Sequence, residues 1–431
     1  MRQIKGRHRL AAVVLALAGG TALAGTTSSF DVGPQSYAGS QLRRVQVYVP
    51  DGLAGPAPMV MALHGCQQTE QSVLQDWGLR AAADRYGFVL VTPFITRYDG
   101  LRNTNCWGFW LDQHRHQGRG EVEDLRQIGL AVEQRWTIDP QRRFITGLSS
   151  GGAMTVVASV AHNEYWAAAA SAAGLGYGED AASVSFSGCP GSATFHSVDR
   201  LVSDMRAERD SPYAIPLMVL QNRGDCTVLA QAGERLRDAQ LKLNGDAAHD
   251  TPAEALAEEK ACSPVFGSDY GCRHARYTVD GQPGSRSLVE TIFYSGPTVT
   301  PSTGDTDHGH YWIGGEQGLD GNWSLRQGPS YPDIVWSFFA RHARADGGTT
   351  PPPPPPPPPP PSEVDCSGTA ASPMAHIAAV RAVAGGYFNL RALATADAQD
   401  IGFAWDSWSS VRLYQVQPAR WQTARPAGCG S

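Results

Sequence analysis

Two adjacent serines, Ser149 and Ser150, sit in the run Gly147-Leu148-Ser149-Ser150-Gly151-Gly152. The pattern G-x-S-x-G is met with Ser149 at its centre. It fails with Ser150, because Leu148 would then take the first glycine position. This spacing suits a nucleophile in a tight strand-to-helix turn, where bulky neighbours would clash with strained backbone. A serine hydroxyl attacks only if a base takes its proton and an acid orients that base. In the chain order Ser, Asp, His, the acid is Asp225 in "RGDCTV" and the base is a histidine of "TGDTDHGHYWIGG". His310 is preferred over His308, since glycine precedes it and an aromatic run follows, which suits a buried, positioned imidazole. His114 and His116 in "DQHRHQGRGE" precede Ser149 and read as a solvated loop.

Acyl transfer also needs backbone N–H donors for the oxyanion. Ser150 N–H, directly after the nucleophile, is one, and Cys66 N–H in "ALHGCQQT" is the second. On this reading Ser150 serves through its backbone, and its hydroxyl is dispensable. Trp107, with Phe109 and Trp110 in "NCWGFW", and Trp312 after the base are candidates to bind substrate; the alternative is that they pack in the core. The chemistry requires no metal and no cofactor, and neither a C-x-x-C pair nor a helical His-x-x-x-His occurs.

For these groups to meet, each must lie at the same edge of a sheet. Short apolar runs at 58–65, 87–94, 142–149, 215–222 and 287–294 read as buried strands. Helical spacing occupies 121–136, through Leu125, Ile128, Val132 and Trp136, then 151–162 and 331–343. Strand, helix, strand in succession implies an α/β fold with a mostly parallel sheet covered on both faces. Its active site belongs at the carboxyl ends of the strands. Cys66, Ser149, Asp225 and His310 each follow such a strand.

The motifs "LHGCQQT", "NCWGFW", "IDPQRRFITGLSSGGAM", "AAGLGYG" and "GHYWIGG" resemble the secreted polyhydroxybutyrate depolymerase family of α/β-hydrolase esterases, over about residues 35–345. That family is akin to carbohydrate esterases that cut feruloyl and acetyl esters from xylan. The resemblance implies an α/β-hydrolase fold, an acyl-enzyme mechanism, and the roles given to Ser149, Asp225 and His310. Two places depart from the family pattern: Gln221-Asn222 stands for His-Gly, and Tyr311-Trp312-Ile313 for Ala-Trp-Pro. Both bear on substrate preference.

The rest of the chain frames this domain. "MRQIKGRHRL" followed by an apolar run to Ala22-Leu23-Ala24 is a secretory signal pattern, 1–24, so the mature protein is expected outside the cell with no membrane attachment. Its removal leaves 31 basic against 41 acidic side chains, a balance that argues against nucleic acid. Export makes the eight cysteines expected disulfides. Cys262 and Cys272 are close in sequence, Cys366 and Cys429 bracket the C-terminal segment, and Cys66 with Cys106 and Cys189 with Cys226 remain by elimination. A linker, 346–362, carries eleven consecutive prolines, which form an extended spacer. It divides the catalytic domain, 25–345, from a small aromatic-rich domain, 363–431, that either adheres to an insoluble polymer or uses its aromatics as core. The expected partner is therefore an insoluble polyester or polysaccharide. Three activities stay open: polyhydroxyalkanoate depolymerase, feruloyl or acetyl-xylan esterase, and a silent binding protein with a hydrolase fold.

Overall fold

The computed structural model describes residues 25–53, 55–95, 105–262, 270–296, 309–344, 366–379, 381–385, 390–397, 399–417 and 420–426. The signal segment, the proline run, His308 and Cys429 lie outside the described residues. Two compact units divide between Thr350 and Pro351.

In the first unit ten strands form one sheet. They are β1 (Thr26–Val32), β2 (Arg43–Val49), β3 (Ala57–Leu63), β4 (Val89–Ile95), β5 (Ile138–Leu148), β6 (Ala168–Ala172), β7 (Leu217–Asn222), β8 (Leu256–Ala261), β9 (Arg273–Thr278) and β10 (Ser287–Tyr294). Their order is β1-β2-β4-β3-β5-β6-β7-β10-β9-β8. From β4 to β10 neighbours pair in parallel. The outer strands pair antiparallel. Every residue of β3, β6, β7 and β10 is buried, so both faces of the sheet are covered. The covering helices are α1 (Glu70–Asp76), α2 (Leu79–Tyr86), α3 (Gly120–Glu133), α4 (Ser150–Ala161), α5 (Val198–Glu208), α6 (Ala230–Asn244), α7 (Pro252–Ala255) and α8 (Tyr331–Phe339). This is the α/β-hydrolase arrangement expected from the sequence.

Helix α4 is buried along its whole length. Small residues allow this: a Cβ on Gly152 would sit 2.5 Å from the Ala172 carbonyl oxygen. Helix α3 stops at Glu133, short of the expected Trp136. Arg135 and Trp136 both donate back to the Val132 carbonyl, which tightens the last turn and directs the chain into β5. Trp136 then packs on Phe30 of β1. Among the buried charged residues of the sheet, one is a carboxylate on β10. Glu290 of β10 accepts two hydrogen bonds from Arg341 and lies 2.7 Å from His274 Nε2. These contacts replace the water that burial removes.

Three disulfides close as expected: Cys66–Cys106, Cys189–Cys226 and Cys262–Cys272. Cys262–Cys272 bridges the antiparallel β8–β9 pair. The expected Cys366–Cys429 bond falls on Cys429, outside the described residues.

The second unit carries two three-stranded antiparallel sheets. Ala382, Ala392, Ala394, Ile401 and Leu413 form its core, with Trp421 packed against them. Three other aromatics behave differently. Phe403 and Trp405 are exposed and stack on each other at 4.9 Å, and Trp408 is 78% exposed.

Candidate active site

The turn from β5 into α4 sets Ser149 at φ 60° and ψ −123°, a region that side-chain-bearing residues rarely enter. Such a turn requires glycine on both sides. A Cβ on Gly147 would meet the Gly151 carbonyl at 2.5 Å, and one on Gly151 would meet the Leu63 carbonyl at 2.2 Å. The strain is held by flanking bonds: Ser149 N–H donates to the Ala172 carbonyl at 2.9 Å, and Ala153 N–H to the Ser149 carbonyl at 2.8 Å. The serine thus stands at the N-terminus of a long buried helix, where backbone N–H groups favour developing negative charge.

Asp225 lies in the loop after β7. Its Oδ1 accepts from Thr227 N–H and Val228 N–H, both at 2.9 Å. Its Oδ2 lies 2.8 Å from His310 Nδ1, and both residues are buried. A carboxylate only accepts, so Nδ1 of His310 carries the proton and the lone pair resides on Nε2. Gly309 lets this loop approach, since a Cβ there would come within 2.7 Å of Asp225 N. Behind the acid, the Tyr294 and Tyr331 hydroxyls bond each other at 2.6 Å. Burial pushes both phenols well above their usual range, so they remain neutral beside the carboxylate.

The loop after β3 completes the site. Gly65 N–H is taken by Gln68 Oε1 at 2.8 Å, and the next N–H along the chain is that of Cys66. His64 Nδ1 contacts the Gly65 carbonyl at 2.8 Å. Burial pushes the His64 imidazole down to about 4, so it stays neutral and donates through Nδ1. The Ser150 side chain has a partner of its own. Its Oγ accepts from Trp107 N–H at 3.3 Å, so the hydroxyl expected to be dispensable holds the loop that carries Cys106.

Ser149, His310, Cys66 and Ser150 line one cavity of about 330 Å³. Phe109, Trp110, Leu175, Val184, Phe186 and Trp323 supply its apolar walls. No Asp, Glu, Lys or Arg is among the described lining residues.

Two expectations about substrate contact are corrected. Trp107 is fully buried beside His64, and Trp312 is fully buried in a stack on Trp77 at 4.1 Å, its Nε1 donating to the Trp77 carbonyl. Neither lines the cavity. In each run the tryptophan tied to the fold turns inward, and the walls come from Trp110 and from Trp323, which sequence reasoning missed. Trp323 packs edge-on against the His310 ring, 6.1 Å between centroids. His114 is also corrected: it is buried, with Nδ1 accepting from Glu121 N–H, and is no solvated-loop residue. Its polar sequence neighbours gave no sign of which side chain turns inward.

Comparison with known proteins adds an independent line. Residues 44–260, half of the chain, match the family model described as Esterase PHB depolymerase. A poly(3-hydroxyalkanoate) depolymerase C from Paucimonas lemoignei is 32% identical over 130 residues, 30% of this chain and 31% of that protein. Feruloyl esterase B from Neurospora crassa is 34% identical over 140 residues, 31% of this chain and 44% of that protein. The chain therefore matches less than half the length of either relative. Among solved structures, an acetyl xylan esterase from Aspergillus awamori aligns with TM-score 0.49 at 17% identity, covering 73% of this chain and 99% of that one.

Proposed function

Since the chain belongs to the esterase PHB depolymerase family, we propose that it is a secreted serine esterase that hydrolyses poly(3-hydroxybutyrate) or a similar short-chain polyester. The observation that carries this reading is the buried His310–Asp225 pair, whose His310 lines one cavity with the strained Ser149.

His310 Nε2 takes the Ser149 proton as Oγ attacks the ester carbonyl. The N–H groups of Cys66 and Ser150 hold the oxyanion that forms. Collapse expels the alcohol, which receives the proton from His310 and leaves an acyl group on Ser149. Water then attacks that acyl group, giving its proton to His310, and the acid departs as the proton returns to Ser149. Every step is proton transfer and acyl exchange, so no cofactor enters.

The polyester is favoured by the largely apolar cavity lining, whose described residues include no Asp, Glu, Lys or Arg, which suits a neutral aliphatic ester chain. The three disulfides fit an oxidising, extracellular compartment. The small C-terminal unit acts as an adhesive module: Phe403, Trp405 and Trp408 offer exposed aromatic faces to a solid polymer.

A fluorophosphonate should label the native protein at Ser149 and leave Ser149→Ala unmodified; labelling at another residue would refute the nucleophile. Incubation with polyhydroxybutyrate granules should clear them, while feruloylated xylan yields no ferulate. Ferulate release without clearing would move the substrate to plant polysaccharide.

A further inference from the structure

We propose that Gln68 is a positioning residue that locks the oxyanion loop to the wall above the catalytic histidine. This rests on the triad and oxyanion roles proposed above. Gln68 is fully buried, and its side chain bridges two loops far apart in sequence. Its Oε1 accepts from Gly65 N–H at 2.8 Å, and its Nε2 donates to the Asn322 carbonyl at 2.5 Å. Its own backbone is fixed from both sides: Gln68 N–H donates to the Gly65 carbonyl, and Asn105 Nδ2 donates to the Gln68 carbonyl.

Each end of the bridge reaches a reacting group. At one end, Gly65 lies against the nucleophile, since a Cβ on it would come within 3.3 Å of Ser149 Cβ, and it directly precedes Cys66. At the other, Asn322 directly precedes Trp323, which packs on the His310 ring and lines the cavity. Asn322 and Trp323 take φ values of 48° and 62°, a left-handed pair that residues with a Cβ adopt only where the surroundings hold them. The Trp323 carbonyl in turn accepts from Trp312 N–H at 3.0 Å, two residues past His310. The amide is the group this bridge demands. One partner is an N–H and the other a carbonyl, so only one orientation of one acceptor and one donor satisfies both. A carboxylate would face the Asn322 oxygen without a proton, and an apolar side chain would satisfy neither.

Among the described residues, the titratable groups on the elements packed around the amide are His64, Asp76, which accepts from Asn322 Nδ2 at 3.3 Å, His310 beyond Trp323, and Glu70, which already holds Arg44. A glutamate placed at position 68 therefore has no unpartnered cation among these to hold it ionised. It bridges both partners only while protonated.

The test compares the full-length wild type, Gln68→Met and Gln68→Glu on dissolved p-nitrophenyl butyrate between about pH 5 and 9, with a melting curve and fluorophosphonate labelling of each. Gln68→Met should lose about 10- to 100-fold in kcat with KM changed by less than about threefold. Gln68→Glu should gain a descending limb, its kcat falling about tenfold or more as pH rises through the new carboxyl, where wild-type kcat does not fall. If Gln68→Met does not fold, that added limb decides alone. Labelled, folded variants with kcat within about twofold of wild type and an unchanged pH profile would overturn the role of Gln68 while leaving the triad standing. A wild type that does not label at Ser149 would instead remove the triad reading, and this inference with it.

Discussion

Asp225→Asn tests the acid without disturbing the fold around it. Oδ1 of Asp225 receives two backbone N–H groups at 2.9 Å, so asparagine will keep its oxygen there and turn its NH₂ toward His310. That NH₂ stands where Oδ2 now lies, 2.8 Å from His310 Nδ1. An N–H facing Nδ1 forces the imidazole into the opposite tautomer, with its proton on Nε2. Nε2 then has no lone pair for the Ser149 proton. A tautomer fault of this kind lowers kcat by about 10⁴, or about 5.5 kcal/mol in the barrier. The assay is kcat on a dissolved p-nitrophenyl ester across pH, with a melting curve as the control. The turn keeps both of its backbone bonds, so the melting temperature should fall little. Neutral pH offers no rescue, because the fault lies in the position of the proton and not in the charge. An Asp225→Asn protein with more than about a tenth of wild-type kcat would refute the orienting role.

Ser150→Ala should prove more than mild: it removes the acceptor of the buried Trp107 N–H and costs about 1–3 kcal/mol, read from denaturant melts, and an unchanged midpoint would show that bond to be idle. Trp405→Ala with Trp408→Ala should weaken adsorption to polyester granules by about tenfold or more, since two exposed aromatic faces are lost; equal adsorption would assign those rings to another purpose. Burial opposes the Glu123 charge, yet the hydrogen bond and charge of His162 win and hold its carboxyl down to about 2. Burial likewise opposes the His162 charge, but Glu123 and Glu164 hold the imidazole above its usual value. The Glu123 contribution to stability is therefore lost as pH falls below about 4.5 toward 2, and that of His162 as pH rises above about 6.5. Thermal melts of Glu123→Gln should show a flatter pH dependence than wild type over both ranges; a parallel curve would refute the pairing.

What the sequence disclosed follows from how local each constraint is. The Ser149 turn was legible because its glycines follow a fixed short spacing around the serine, even though the carbonyl that excludes a side chain at Gly151 belongs to the distant Leu63, and the strands were legible because both of their faces are buried. Asp225 and His310, proposed from chain order, meet at 2.8 Å, and Cys66, proposed from its position after β3, lines the cavity with Ser149. Tryptophans were not legible in this way. Trp107 and Trp110 are three residues apart in one aromatic run, and only the packing of the loop sends one inward beside His64 and the other to the cavity wall. Trp323 gave no signal, because its relation to His310 depends on two left-handed residues and a glutamine from a distant loop. His114 misled for the same reason: charged neighbours describe the surface of its loop, while its ring faces Glu121. Helix α3 kept its apolar face at Leu125, Ile128 and Val132, and Trp136 kept an apolar role after the helix had ended.

The disulfides gain meaning when set beside the site. Cys66–Cys106 closes a loop with a sequence separation of 40, and Cys189–Cys226 one with a separation of 37. Chain entropy alone assigns each about 4 kcal/mol. Each ties down a loop that follows a strand of the proposed site, β3 for Cys66 and β7 for Cys226. The first joins the proposed oxyanion donor to the segment whose Trp107 N–H is bound by Ser150, so both proposed donors belong to one cross-linked unit. The second joins the residue after Asp225 to the loop bearing Phe186, which lies at the cavity and is 86% exposed. Loops at the edge of a sheet lack the ladder bonds that fix strands, and an esterase with the proposed solid substrate cannot rely on a dissolved one to order them. Covalent ties in these two loops supply that order before substrate arrives. Reduction should therefore lower kcat on a dissolved ester at temperatures below those that melt the sheet. Loss of activity only together with global unfolding would show that the bonds serve stability alone.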